Sequence, residues 1–346
     1  MSLNQLKRRL LPHGLAALPA RLWHRLVGDS LIVPYYHIVA DHDVPHVKHL
    51  YRHRNVRQFT QDLDFFLSNY EPLALQDLVE HFEKKKSLPK RCFLLTFDDG
   101  FREMHDVVAP ILRAKGVPAT FFLTTGFIDN EDMAHHCKLS LLLEHLVRTP
   151  SATIKEQALS LLARNRVEGS SFESRMVSIR YHQRHLVAEI AALCDYDFGQ
   201  YLSSRKPHLT SDQIRSLLKQ GFTIGAHSVD HPLYADLSLE EQVRQTNDSR
   251  QFLVERFQID CRAFAFPHSD AGVTAAFFER LFAPRQLAVS FGTAGMVRHF
   301  FARNLERFSM EKTSLPARRI VAKHYARGLC KRLVGKSPVP APACNN

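Results

Sequence analysis

Short apolar runs recur along this chain, and each closes on a polar or glycine-bearing turn. The runs are Leu31–Val39, Phe93–Phe97, Ala119–Thr124, Phe222–Ala226, Ala263–Pro267 and Leu287–Gly292. Between them lie segments with apolar residues at helical spacing. Asn55–Asn69 places Val56, Phe59, Leu63, Phe66 and Leu67 on one face, and Leu75–Lys85 offers a second, shorter helix. Glu103–Lys115 is stopped by Gly116, Thr210–Gln213 opens a helix as a capping box that Gly221 ends, and Leu237–Phe257 carries Glu240 and Glu241 in its first turn. Val273–Phe282 completes the set. Such strand–helix alternation predicts an α/β fold built on a parallel sheet. Residues 128–207 leave this rhythm: Met133–Val147, Thr153–Ala163 and Phe172–Cys194 read as helices, an insertion rather than a loop.

Two of the runs end in chemistry. Phe93–Phe97 delivers Asp98 and Asp99 onto Gly100, and two adjacent carboxylates resist joint ionisation unless a cation or a donor compensates. A solvated turn is the plainer reading of Asp-Asp-Gly by itself. Phe222–Ala226 ends in His227-Ser228-Val229-Asp230-His231, where imidazoles and a carboxylate are the ligands that a zinc-like divalent ion accepts. In a chain with twenty histidines an HxxxH pair could arise by chance. Both clusters, however, stand where a strand gives way to a loop, the place where α/β folds build their sites.

Thr96-Phe97-Asp98-Asp99-Gly100 together with His227-Ser228-Val229-Asp230-His231 resembles the first two motifs of the NodB-homology polysaccharide deacetylases, carbohydrate esterase family four. Ala109-Pro110-Ile111-Leu112 and Gly116–Leu123 are similar to the family's helix and strand after the first motif. The resemblance runs over about 31–127 and 208–312. It is nearest to the circularly permuted poly-N-acetylglucosamine and exopolysaccharide deacetylases, which open on a similar Tyr-His strand, here Tyr36-His37. It implies a distorted (β/α) barrel holding one divalent metal, zinc by preference, with cobalt, nickel or iron also accepted. Asp99, His227 and His231 would be the ligands, Asp98 the general base and His37 the general acid, with His299 and His324 as rivals for the last role. The His268 backbone N–H would help hold the oxyanion. Ala265 departs from the arginine that many members carry two residues before the proline, and the Asp-Trp fourth motif has no equivalent. Arg303–Glu311 resembles the closing Arg-rich segment of the permuted members.

The implied activity is removal of an N-acetyl group from a saccharide. A metal-dependent hydrolase of another non-peptide C–N bond, or a catalytically silent carbohydrate-binding relative, would share the motifs. The net charge is +11, with +4 in residues 1–30, +9 in 298–346 and −2 between them. Residues 1–30 also space Leu3, Leu6, Leu10, Leu11, Leu15, Leu18, Leu22 and Leu26 as an amphipathic segment broken by Pro12 and Pro19. Residues 313–346 read as a basic helix from about Leu315 to Val334 and a frayed tail from Pro338. Such ends suit peripheral contact with an anionic membrane or a solvated surface; no nucleic-acid motif accompanies them. There is no apolar run of membrane-spanning length, no convincing signal peptide and no paired cysteine spacing, so the expectation is a cytoplasmic protein with free thiols.

Overall fold

The computed structural model describes residues 30–283 and 286–333. Both the leucine-spaced N-terminal segment and the Pro338–Asn346 tail therefore lie outside the described residues. The strands are β1 (Ser30–Ile32), β2 (Pro34–Tyr36), β3 (Glu71–Pro72), β4 (Arg91–Phe93), β5 (Leu95–Phe97), β6 (Ala119–Leu123), β7 (Thr223–Ala226), β8 (Ala263–Ala265), β9 (Val289–Gly292), β10 (Asn304–Glu306) and β11 (Phe308–Ser309). Eight of them form one sheet in the order β10-β9-β8-β7-β6-β5-β2-β11, with every pairing parallel. Its two ends, β10 and β11, are consecutive in the chain and separated by Arg307 alone. One continuous run, Asn304 to Ser309, thus pairs with β9 through its first half and with β2 through its second, and the sheet closes on itself. The expected parallel α/β barrel is present, with its first strand beside its last.

The first apolar run is not the single strand that Leu31–Val39 suggests. It divides at Val33, as the next run divides at Leu94, and β1 and β4 peel away with β3 into a small three-stranded sheet. Competition for partners explains the division. The amides of Phe308 and Met310 take the carbonyls of Val33 and Tyr35, at 3.1 Å each, so from Val33 onward the chain belongs to the barrel.

Strand alternation sorts the side chains into two layers. Leu95, Phe97, Ala119, Phe121, Leu123 and Phe264 pack outward under helices through Phe59, Phe66, Leu112, Leu217, Leu253 and Phe277. The other face of the strands packs Leu94, Phe122, Ala265 and Phe291 together. Phe122 needs glycine opposite it: a Cβ on Gly225 would lie 2.4 Å from its ring.

The helices over 56–69, 75–84, 211–219, 239–257 and 275–282 fall within two residues of the sequence expectation. Thr210 and Gln213 form the anticipated capping box. The insertion folds as helices His135–Arg148, Ala152–Arg164, Phe172–Val177, His185–Leu193 and Phe198–Arg205 around its own apolar cluster of Leu139, Leu142, Leu162, Met176, Leu186 and Ile190. Phe172–Cys194 is therefore two helices rather than one. A short 3-10 turn, Tyr181–Gln183, stands between them, and Tyr181 donates its hydroxyl to Asp230 of the barrel. Helix Phe198–Arg205, capped by Asp197, was not anticipated. Helix Ala317–Leu333 closes the described chain, its first N–H donated to buried Asp62.

Candidate active site

Asp98 leaves β5 with its N–H on the Tyr36 carbonyl, 3.0 Å away. The next two residues take left-handed backbone, φ +77° at Asp99 and +73° at Gly100. Asp tolerates that region better than most residues, and Gly takes it without strain. The turn sends two adjacent carboxylates to different partners.

Asp98 meets Arg307. The guanidinium donates through Nη1 to Oδ1 (2.6 Å) and through Nη2 to Oδ2 (2.7 Å), a bidentate pair with both residues buried. Arg307 also donates to Thr96 Oγ1 and to the Gly292 carbonyl at 3.2 Å each, and stacks 4.7 Å from the Tyr35 ring. The guanidinium missing at Ala265 is thus supplied by the segment that closes the barrel. The sequence signal was a lone arginine between two apolar strand positions, Leu305 and Phe308, in the Arg-rich run.

Asp99 meets the histidines. Its Oδ1 lies 3.0 Å from His231 Nε2 and 3.3 Å from His227 Nε2. His227 Nδ1 is 2.7 Å from the Ala265 carbonyl, which can only accept, so Nδ1 carries the hydrogen and Nε2 presents its lone pair. That lone pair faces a buried carboxylate oxygen that receives no hydrogen bond. Electron-rich atoms converging on one point are the kind of donor set a cation accepts, and the three groups lie close enough together to hold one. The loop is held ready: Ser228 (φ +67°) and His231 (φ +63°) are left-handed, and Ser228 Oγ accepts the His231 N–H at 3.0 Å. Left-handed non-glycine residues concentrated at one site are typical of strain kept for function. Asp230, the carboxylate inside the histidine motif, turns away to Tyr181 and to Gln245 Nε2 (2.7 Å).

His37 stands just past β2. Glu311 receives the N–H groups of His37 and Ile38 at 3.0 Å each and His37 Nδ1–H at 2.5 Å, leaving Nε2 as the free nitrogen. Burial pulls the His37 imidazole down, but the Glu311 charge and hydrogen bond, joined by Asp99 and Asp98, outweigh it and raise the pKa to about 9. His324 packs against Phe308 and is lowered to about 4 by burial. His299 accepts the Phe301 N–H and packs on Phe278. Among the described residues, no hydrogen bond, ion pair or ring contact joins either rival to Asp98 or Asp99. Glu311 was not singled out from the sequence, because nothing near it in the chain marks its partner.

His268 (φ +57°) sets its ring 4.5 Å from that of His231. The insertion adds a residue that sequence reasoning missed: His136, whose ring lies 4.9 Å from that of His231. Beside it a groove of about 550 Å³ runs between barrel and insertion, lined among others by Phe127, Lys138, Tyr181, Arg184, Phe198 and Asp230.

Comparison with known proteins bears on the family and the fold. The polysaccharide deacetylase family model matches residues 85–280, which include both motifs and exclude His37, Arg307 and Glu311. The polysaccharide deacetylase homologue YxkH of Bacillus subtilis (strain 168) is 23% identical over 228 residues, 64% of this chain and 70% of that protein. Among solved structures, the Streptococcus pyogenes deacetylase PplD in complex with acetate superposes with a TM-score of 0.54 at 16% identity, over 85% of this chain and 97% of that one. IcaB from Ammonifex degensii gives 0.54 at 17% identity, over 87% and 98%. Those structures share the fold. With the family model spanning more than half of its residues and including both motifs, the chain belongs to the polysaccharide deacetylase family and is a carbohydrate deacetylase, a hydrolase.

Proposed function

We propose that the chain removes the N-acetyl group from a sugar unit of an N-acetylated saccharide, with one divalent ion, zinc by preference, held by Asp99, His227 and His231. The observation that carries this is the convergence of Asp99 Oδ1 with two imidazole Nε2 atoms, one of them committed to metal-ligand form by its own hydrogen bond to Ala265. When bound, such an ion lowers the pKa of a water and polarises the acetamide carbonyl. Asp98, oriented by Arg307, takes the proton of the attacking water, the His268 N–H faces the developing oxyanion, and His37 Nε2 gives a proton to the departing amine. Water and amide become acetate and a free amino sugar. The groove beside Asp230 receives neighbouring sugar units.

Metal analysis and mass spectrometry of N-acetylated glycans test this together. Wild type should hold about one ion per chain and remove about 42 Da per acetyl, and His227→Ala should lose the ion. Asp98→Asn should keep the ion while turnover falls roughly 10²–10⁴-fold, because an amide cannot accept the proton. Full metal occupancy in the His227→Ala, His231→Ala double variant would remove these residues from the ligand set. The basic ends support a proposal of place, attachment to an anionic membrane surface from the cytoplasmic side. Liposome flotation should then depend on anionic lipid and on salt; equal recovery from neutral vesicles counts against it.

A further inference from the structure

A metal-ligating imidazole normally gives its other N–H to a carbonyl or carboxylate, which fixes its tautomer and ring angle. His227 does this through Ala265. His231 does not: its Nε2 faces Asp99, and its Nδ1 is buried without a partner. Against its ring lies His136, from the first turn of the insertion helix His135–Arg148, and the Nδ1 of His136 is likewise buried and unpartnered. One nitrogen from each of His136, His231 and His268 falls within 4.8 Å of the others.

Three imidazoles so placed could pass for a second cation site, but a neutral imidazole has a single lone pair, and His231 turns it toward Asp99. Its Nδ1 therefore carries the hydrogen and lacks an acceptor. His268 is exposed and water can satisfy it; the buried His136 nitrogen needs a partner inside the protein. With the two rings 4.9 Å apart, the nitrogens can meet directly after a small ring rotation or through one water between them.

We propose that His136 is a positioning residue of the metal centre: its Nδ1 accepts the Nδ1–H of His231, directly or through one bridging water, and so ties the helical insertion to the ligand set. This rests on Asp99, His227 and His231 being the ligands.

The test is titration of the metal-free full chain with Co²⁺, in competition with a chelator, for wild type, His136→Phe and His136→Gln. Phenylalanine keeps an aromatic ring and removes the acceptor; glutamine restores one. The Phe variant should bind Co²⁺ roughly 10–100-fold more weakly. The Gln variant should recover most of the loss, with all metal-free proteins melting alike. His136→Leu replaces the Phe variant if that one does not fold. Wild-type affinity in the acceptor-less variant overturns the inference, as does a Gln variant no better than it. Absence of Co²⁺ binding by wild type itself would instead overturn the ligand reading beneath it.

Discussion

Arg307→Met is expected to destabilise the protein by roughly 3–5 kcal/mol and to silence it at neutral pH, because a buried ion pair broken on one side leaves an uncompensated charge. The site is severe in this respect. Arg307 is wholly buried, both Asp98 oxygens depend on it, and the rings of Tyr35, Phe122 and Phe291 that surround it offer no replacement charge. Methionine fills much of the space but leaves the Asp98 carboxylate buried without the two donors that pair and orient it. Denaturant unfolding and pH–rate profiles check both halves. Asp98→Asn in the same chain should return part of the lost stability and none of the activity. A single variant within about 1 kcal/mol of wild type would show that the pair is not the buried, mutually dependent unit that its geometry describes.

His37→Ala should cut kcat by roughly 10²–10⁴, the usual worth of a general acid, whereas His299→Ala and His324→Ala should stay near the wild-type rate. Glu311→Gln makes the finer test. His37 must be protonated to donate, so activity falls as pH rises through its pKa, and Glu311 is what lifts that value to about 9 against the pull of burial. Removing the Glu311 charge lets burial dominate, and the alkaline limb of the kcat profile should move to lower pH. Stability follows the same sign. A histidine whose folded pKa is raised contributes fully below its unfolded value, near 6.5, and loses that contribution as pH rises through about 9. An unmoved alkaline limb in Glu311→Gln would detach His37 from the limb; collapse in His299→Ala would reassign the acid.

Much of the barrel was legible because its signals are local. An apolar run that ends on Asp-Asp-Gly or on a histidine motif announces a strand end and its chemistry through residues a few positions apart. The partners were not legible. Arg307 lies 209 residues from Asp98, and Glu311 lies 274 from His37; only barrel closure makes them neighbours. The same closure divided the first strand at Val33, since the carbonyls that compete for Phe308 and Met310 belong to a tertiary arrangement. His136 was hidden in another way. It sits in an ordinary amphipathic helix, and only docking of the insertion onto the barrel rim, through Ile38, Phe127, Met133 and Cys137, gives it meaning.

The run from Asn304 to Ser309 has a bearing on how the enzyme is made. A chain still on the ribosome that has emerged only to residue 300 already holds both aspartates and both motif histidines, and domains begin to organise from the N-terminus during synthesis. Such a nascent chain lacks Arg307, the bidentate partner of Asp98, and Glu311, the partner of His37. The eight-stranded sheet can close only once residues 304–309 are available to pair with β9 and β2. Translation must pass Glu311 before the pairs Asp98–Arg307 and His37–Glu311 can both form.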